Sequence, residues 1–259
     1  MIALYRVWAM VRRHTILYVR GLDKINTFIY WPLINIAIFG LTAYSASNAD
    51  TSVVANVMGC IVGWQIMLRI SMEAATIVLQ EIQAQNIVNI LSTPLTFLEW
   101  ALSGMIIGFF TMLIVWLNCC FWVYILFGVN LWSIGWAWIP FLLLLVLSGA
   151  SFSYLISGLF MRMGYRAIDI MFSLVWMFVP FSGAYAPLAS LPGWINRVAL
   201  FMPFSYTFRA LRIYQVEGIL RWDLLGTSFV LNMLFLTLTL LFFKWSFDQS
   251  KQLGIARLS

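Results

Sequence analysis

Charge is what this sequence most lacks. Asp, Glu, Lys and Arg make up 9% of its 259 residues, against roughly a quarter in a soluble domain. So few charges cannot cover the surface of a water-solvated globule of this length. Disorder is excluded from the opposite side, because 63% of the residues are hydrophobic and apolar surface to bury is abundant. Histidine occurs once, at His14, so a histidine metal site or a serine–histidine hydrolase lacks its second player. The three lysines (Lys24, Lys244, Lys251) stand outside any Gly-Lys-Ser/Thr run, which removes the usual phosphate-cradling loop. Cys60, Cys119 and Cys120 all fall in apolar runs, with neither disulfide nor metal spacing, and read as small core residues. Proton- and sodium-driven carriers place acids deep in their spans. Here the candidates are Asp169 beside Arg166 and Glu73 four residues after Arg69, each with an opposite charge at hand.

What is present is hydrophobic length. At about 20 apolar residues per crossing, the runs 27–46, 53–72, 101–127, 136–160, 169–186 and 225–245 predict six transmembrane helices. The expected fold is an all-α integral membrane protein with a single transmembrane domain over residues 1–259. Residues 1–26 lack the apolar core and small-residue cleavage site of a signal peptide. At helical spacing, Leu4, Trp8, Val11, Thr15, Tyr18 and Leu22 share one side, while Arg6, Arg13, Arg20 and Lys24 line another. That pattern predicts an amphipathic helix lying in the headgroup plane, with His14 on its surface. Eleven of the fifteen basic residues fall on the side of the N-terminus, and Arg197, Arg209, Arg212 and Arg221 on the other. The excess of positive charge therefore places both termini in the cytoplasm. It reads as a topology signal, not as nucleic-acid binding.

Two stretches break the apolar pattern. From Glu73 to Trp100, the residues Glu81, Gln83, Gln85, Asn86, Asn89, Ser92, Thr93 and Glu99 interrupt the apolar residues, among them Ile82, Ile87, Ile90 and Leu91, and Pro94 stops the helical segment. This is a polar, partly amphipathic helix on the cytoplasmic side. Residues 178–212 read FVPFSGAYAPLASLPGWINRVALFMPFSYTFRALR. Pro180 and Gly183 loosen the fifth span, Pro187 and Pro192 impose turns, and a second helix starts at Pro203. Backbone broken at membrane depth must be buried in protein or face water, so 187–224 is expected to form an outer re-entrant helical hairpin.

The order Phe181-Ser182-Gly183, Tyr185, Pro187, Leu191-Pro192, Pro203 with its aromatic, and Arg209 resembles the membrane subunits of type-2 ABC exporters. The run Glu81, Asn86, Leu91, Thr93-Pro94-Leu95 and Glu99 resembles them too. That resemblance implies a separate ATP-binding subunit carrying ATP and Mg, and no cofactor in this chain. It also implies a second copy of the chain or a similar permease across the pathway, in the inner membrane of a bacterium. The polar segment is then the coupling helix, with Glu81, Gln83, Gln85, Asn86 and Asn89 as candidate contacts to the ATPase. The loop with Arg162 and Arg166 is a possible second contact or a topology determinant. Trp64 and Trp176, deep in their spans, and Phe181, Ser182 and Gly183 are possible pathway residues; Trp132, Trp136 and Trp138 suit the membrane interface. A glycan, lipid-linked glycan or amphipathic compound is the expected cargo. The alternatives are a membrane enzyme acting on lipid phosphates through the outer arginines, and a gradient-driven carrier.

Overall fold

The structure is a computed structural model describing residues 3–20, 26–48 and 50–253. Among these residues every regular element is helical. The expectations for Leu22 and Lys24 lie outside them.

Helix α1 spans Leu4–Arg20. A π-helical turn, Asn26–Tyr30, leads into α2, Trp31–Ala46, with Pro32 in its first turn where a missing N–H costs little. Helix α3, Thr51–Gln83, is N-capped by Asp50, whose carboxylate accepts from the Ser52 amide at 2.9 Å. A short α4, Ile87–Ser92, precedes α5, Phe97–Phe127, which starts with a reciprocal capping box between Thr96 and Glu99. A 3₁₀ segment, Leu131–Ala137, runs into α6, Trp138–Met163. Short helices α7 (Ile168–Met177), α8 (Val179–Ser182) and α9 (Gly193–Ala199) follow, then α10, Pro203–Glu217, and α11, Trp222–Leu253.

Five stretches are long and apolar enough to cross a membrane: Asn26–Ala46, Thr51–Gln83, Phe97–Phe127, Leu131–Met163 and Trp222–Lys251. They cover five of the six expected runs. The stretch 169–186 is instead divided. Pro180 has no N–H for the Trp176 carbonyl, so the helix breaks at Phe178 and restarts as the four residues of α8. Gly183, at φ 73°, then ends α8 in a left-handed turn.

Helix α3 is the centre of the bundle. Its apolar window is 78% buried, against 28% in α11 and 22% in the α2 segment. It crosses α6 at Gly149, where an added Cβ would come within 2.8 Å of the Met67 carbonyl oxygen and of Ile70. Small residues let helices approach this closely in lipid, where no hydrophobic effect drives them together. At the same crossing the Ala74 amide donates to Ser153 Oγ at 2.9 Å. A second polar seam joins α6, α10 and α11: Ser148 to Asn232 at 2.7 Å, and Thr207 to Ser228 at 2.8 Å. Each hydroxyl of these two seams thus has a partner where no water can supply one.

Candidate functional site

Three buried carboxylates fasten α1 to the bundle. Glu99, fully buried in the first turn of α5, accepts from the Ala3 amide at 2.8 Å and lies 3.7 Å from Arg6. Arg6 also donates to the Pro94 carbonyl at 2.5 Å. Glu81, near the end of α3, takes the Arg13 guanidinium at 2.9 Å and the Asn86 amide at 2.9 Å. Glu73, two turns deeper, accepts from Tyr18, Arg69 and Thr111. Arg69 and Glu73 pair as their i, i+4 spacing predicts.

The face of α1 that meets the bundle cuts across the side grouped by helical spacing. Val7, Met10, Val11, His14 and Tyr18 are buried, whereas Leu4, Trp8 and Thr15 are exposed. His14 is not a surface residue: it is fully buried, neither ring nitrogen has a hydrogen-bond partner, and Nε2 lies 3.5 Å from Glu81 Oε1. Burial, and then the charge of Arg13, push its pKa down to about 4, so it is neutral at pH 7.

The polar segment after Glu73 is continuous with the second span. Helix α3 runs 33 residues, about 50 Å at 1.5 Å per residue, because α1 covers its polar end. It closes with Gln85 in a left-handed turn at φ 51°. Gln83, Gln85 and Asn89 are exposed and Asn86 is half-buried, so these four form one polar knuckle; Glu81 sits beneath it as an anchor. The Asn89 amide donates to Asn86 Oδ1 at 3.0 Å and stiffens the knuckle.

Arg162 and Arg166 are both exposed, and the Arg162 guanidinium lies 4.2 Å from the centre of the Trp245 ring, a cation–π contact. Trp64 is fully buried among Tyr185, Phe204 and Phe208. Trp176 is 40% exposed and, with Trp31, Gln65, Arg69, Met72 and Val115, lines a cavity of about 460 Å³ between α2, α3, α5 and α7. Ser182 Oγ accepts from the Ala184 amide at 3.0 Å, closing the turn at Gly183, and Phe181 meets Trp194 edge-on.

Arg212 holds the broken backbone, a role the sequence pattern did not single out. Its guanidinium donates to the carbonyls of Gly183 at 2.8 Å and Ala184 at 3.3 Å, and to Asn56 Oδ1 at 2.9 Å. Arg209, the expected motif residue, is exposed beside a groove instead. No group of three metal-ligating side chains converges among the described residues.

The family model for the ABC-2 type transporter membrane domain matches residues 5–216. This chain belongs to that family. Among curated proteins no match was found. The matched range runs from α1 to the end of α10, so the strapped leader, the knuckle and the Arg212 clamp all lie within the ABC-2 domain. The chain is a multi-pass membrane permease component, and permeases of this family normally pair with an ATP-binding subunit.

Proposed function

We propose that this chain is the membrane half of an ATP-driven exporter, worked by a separate ATP-binding subunit through the knuckle Gln83, Gln85, Asn86 and Asn89. One observation carries the reading. The knuckle is the exposed end of α3, the most buried helix of the bundle, whose other end is tied through Asn56 to Arg212 and the Gly183 turn. A push on the knuckle therefore moves a rigid rod that ends at the broken segment. ATP binding shifts the membrane domain only if it favours one arrangement over another, and a continuous helix carries that preference across the bilayer.

In this reading both termini and the knuckle face the cytoplasm, and α1 lies at the inner surface with Leu4, Tyr5 and Trp8 in the lipid headgroups. Helices α7 and α8 complete a sixth crossing, and 187–224 returns from it on the outer side as the re-entrant hairpin. Two copies, or this chain and a similar permease, enclose the path in a bacterial inner membrane. Trp176 and the Phe181–Gly183 turn border it, and Arg166 offers the ATPase a second contact while Arg162 rests on Trp245. A glycan, lipid-linked glycan or amphipathic compound passes.

The test is cysteine cross-linking. Cysteines at Gln83, Gln85 and Asn89 in membranes should trap an ATP-binding protein, with Gln85 the strongest site. Arginine at all three positions should abolish drug- or glycan-stimulated ATP turnover while the permease still elutes as a folded species. Modification of these cysteines by an impermeant reagent from outside intact cells would overturn the reading.

A further inference from the structure

A groove of about 390 Å³ lies between the chain after α8 and helices α9 and α10. Two arginines line it. Arg209 and Arg212 stand three residues apart on α10, with Ser205 one turn before them on the same stripe, so one face of that helix forms the wall. Arg209 is exposed, and among the described residues it has no hydrogen bond, ion pair or ring contact. The Arg212 guanidinium donates to neutral acceptors alone, the Gly183 and Ala184 carbonyls and Asn56 Oδ1. Neither positive charge faces a negative one.

The acids near this end of the bundle serve other partners. Asp223 pairs with Arg221 at 2.7 Å, Glu217 also acts on the charge of Arg221, and Asp50 holds Ser52. Among the described residues lining the groove there is no acid. The acceptors of the wall are spent as well. The Ala199 carbonyl takes the Ser205 hydroxyl at 2.6 Å, the Leu200 carbonyl takes the Tyr206 hydroxyl at 2.9 Å, and the Gly183 carbonyl takes Arg212. What the groove offers is an open guanidinium with a second positive charge behind it, and the complement of that is an anion. Arginine suits phosphate above all, two N–H groups meeting two oxygens.

The surroundings say what carries the phosphate. Leu200, in the groove wall, is 58% exposed, and its neighbour Phe201 is 68% exposed. Apolar side chains this bare beside an arginine fit the boundary between acyl chains and headgroups, where the apolar part is covered and the charged head stays at the level of the phosphates. Free phosphate would leave Leu200 and Phe201 uncovered. No histidine, cysteine or acid lines the groove among the described residues, and the Ser205 hydroxyl is already donated, so the groove can hold a phosphate but has no group to react with it.

We propose that this groove binds an anionic phospholipid, its phosphate on Arg209 under the charge of Arg212 and its acyl chains along Leu200 and Phe201. Assigning that lipid to the outer leaflet rests on the permease reading; the binding does not.

The test uses three photoreactive diazirine lipids with the same acyl chains: a phosphatidylglycerol, a phosphatidylcholine and a diacylglycerol. The full chain in phosphatidylcholine nanodiscs is labelled with a trace of each, and labelled peptides are mapped by mass spectrometry. Phosphatidylglycerol should label residues 194–206 most strongly. Arg209→Gln should lower that labelling about tenfold, the effect of one charge-assisted hydrogen bond, and Arg209→Lys should lower it less, because the charge remains without the fork. Diacylglycerol labelling should stay constant in both, which also reports that the variants are folded. Arg197→Gln removes an exposed arginine of α9 that does not line the groove, and should change nothing. Equal labelling by phosphatidylcholine or diacylglycerol would overturn the anionic head. A loss with Arg197→Gln as large as with Arg209→Gln would reduce the effect to diffuse surface charge and overturn the site. Displacement of the phosphatidylglycerol label by millimolar inorganic phosphate would overturn the lipid in favour of the free ion. No labelling by any lipid would mean that a protein surface covers the groove, and would overturn the site too. The knuckle cross-links test the permease reading separately: if they fail and labelling succeeds, the lipid site stands and only its leaflet is lost.

Discussion

Arg13 and Glu81 meet at 2.9 Å although 68 residues separate them in the chain. The Glu81 side chain is 2% exposed and that of Arg13 42%, so the arginine closes the pocket over the acid from outside. The contact joins the leader to the last turn of α3, directly under the knuckle. A load on either element reaches the other through this pair.

Losing the arginine should therefore cost more than losing the pair. Arg13→Met strands a buried carboxylate with only Asn86 and the neutral His14 nearby, and should lower stability by about 3 kcal/mol, the low end for a broken buried pair because Arg13 is itself partly exposed. Arg13→Met with Glu81→Gln should recover about half of that, because the remaining amide still faces Asn86 without a buried charge. Thermal unfolding of the four proteins in detergent gives the cycle. Strict additivity would show that Arg13 works only as a solvated charge.

His14 makes stability depend on pH. In the unfolded chain the imidazole binds a proton below its ordinary pKa of 6.5, whereas the folded chain resists it until about 4. Between these values the unfolded state holds more protons, so stability is complete above pH 6.5 and falls as the pH drops toward 4. The full loss is about 3 kcal/mol at 1.36 kcal/mol per unit. His14→Leu, apolar and of similar bulk, should flatten this limb of a melting-temperature profile between pH 7 and 4.5. A profile unchanged by the substitution would assign the acid sensitivity to other groups.

The spans were legible in the sequence because lipid demands unbroken apolar runs, and five of them appear where the runs predict. The knuckle was legible because Gln83, Gln85 and Asn89 interrupt such a run. The face of α1 was not. A helix between lipid and protein is apolar on both sides, so periodicity groups Leu4 and Trp8 with Val11, whereas the bundle buries Val7 and Met10. The contacts of Arg13, Tyr18 and Arg212 were hidden for a different reason. Each joins segments 51 or more residues apart, or a side chain to a bare carbonyl, and neither leaves a trace in spacing. The division of 169–186 was half legible: Pro180 marks a weak point, but only the clamp on Gly183 and Ala184 fixes the break as a feature of the fold.

The crossing of α3 and α6 sets a steric test. At Gly149 an alanine Cβ would meet the Met67 carbonyl oxygen at 2.8 Å, and backbone cannot yield as a side-chain end can. Gly149→Ala should cost about 1–3 kcal/mol, the range of overpacked cores, and Gly149→Val should prevent accumulation of folded protein. Gly226, inside α11 with no heavy atom within 4 Å of its virtual Cβ, is the control. There alanine should add about 0.5–1 kcal/mol through helix propensity. Both are read from denaturation in mixed micelles, and equal effects at the two glycines would contradict the close approach.

The clamp at Arg212 tests whether the break after α8 is held or merely tolerated. One guanidinium serves the Gly183 and Ala184 carbonyls and Asn56 Oδ1, while the Asn56 amide returns a bond to the Arg212 carbonyl at 3.1 Å. Gln215, one turn on, donates to the Ala55 carbonyl at 3.0 Å and fixes the same register of α10 on α3. Lysine carries the charge but not the planar fork needed to reach divergent acceptors together. Arg212→Lys should therefore release the Gly183 turn while leaving the Gln215 contact in place, at a cost of about 1–3 kcal/mol. Asn56→Ala, which removes one acceptor and leaves the carbonyls held, should cost less. The local readout is a cysteine at Ala184, buried in the native turn. Its alkylation rate should rise several-fold with Arg212→Lys and little with Asn56→Ala. If alkylation rises equally in both, the asparagine carries the clamp; if it rises in neither, Pro180 and Gly183 hold the break alone.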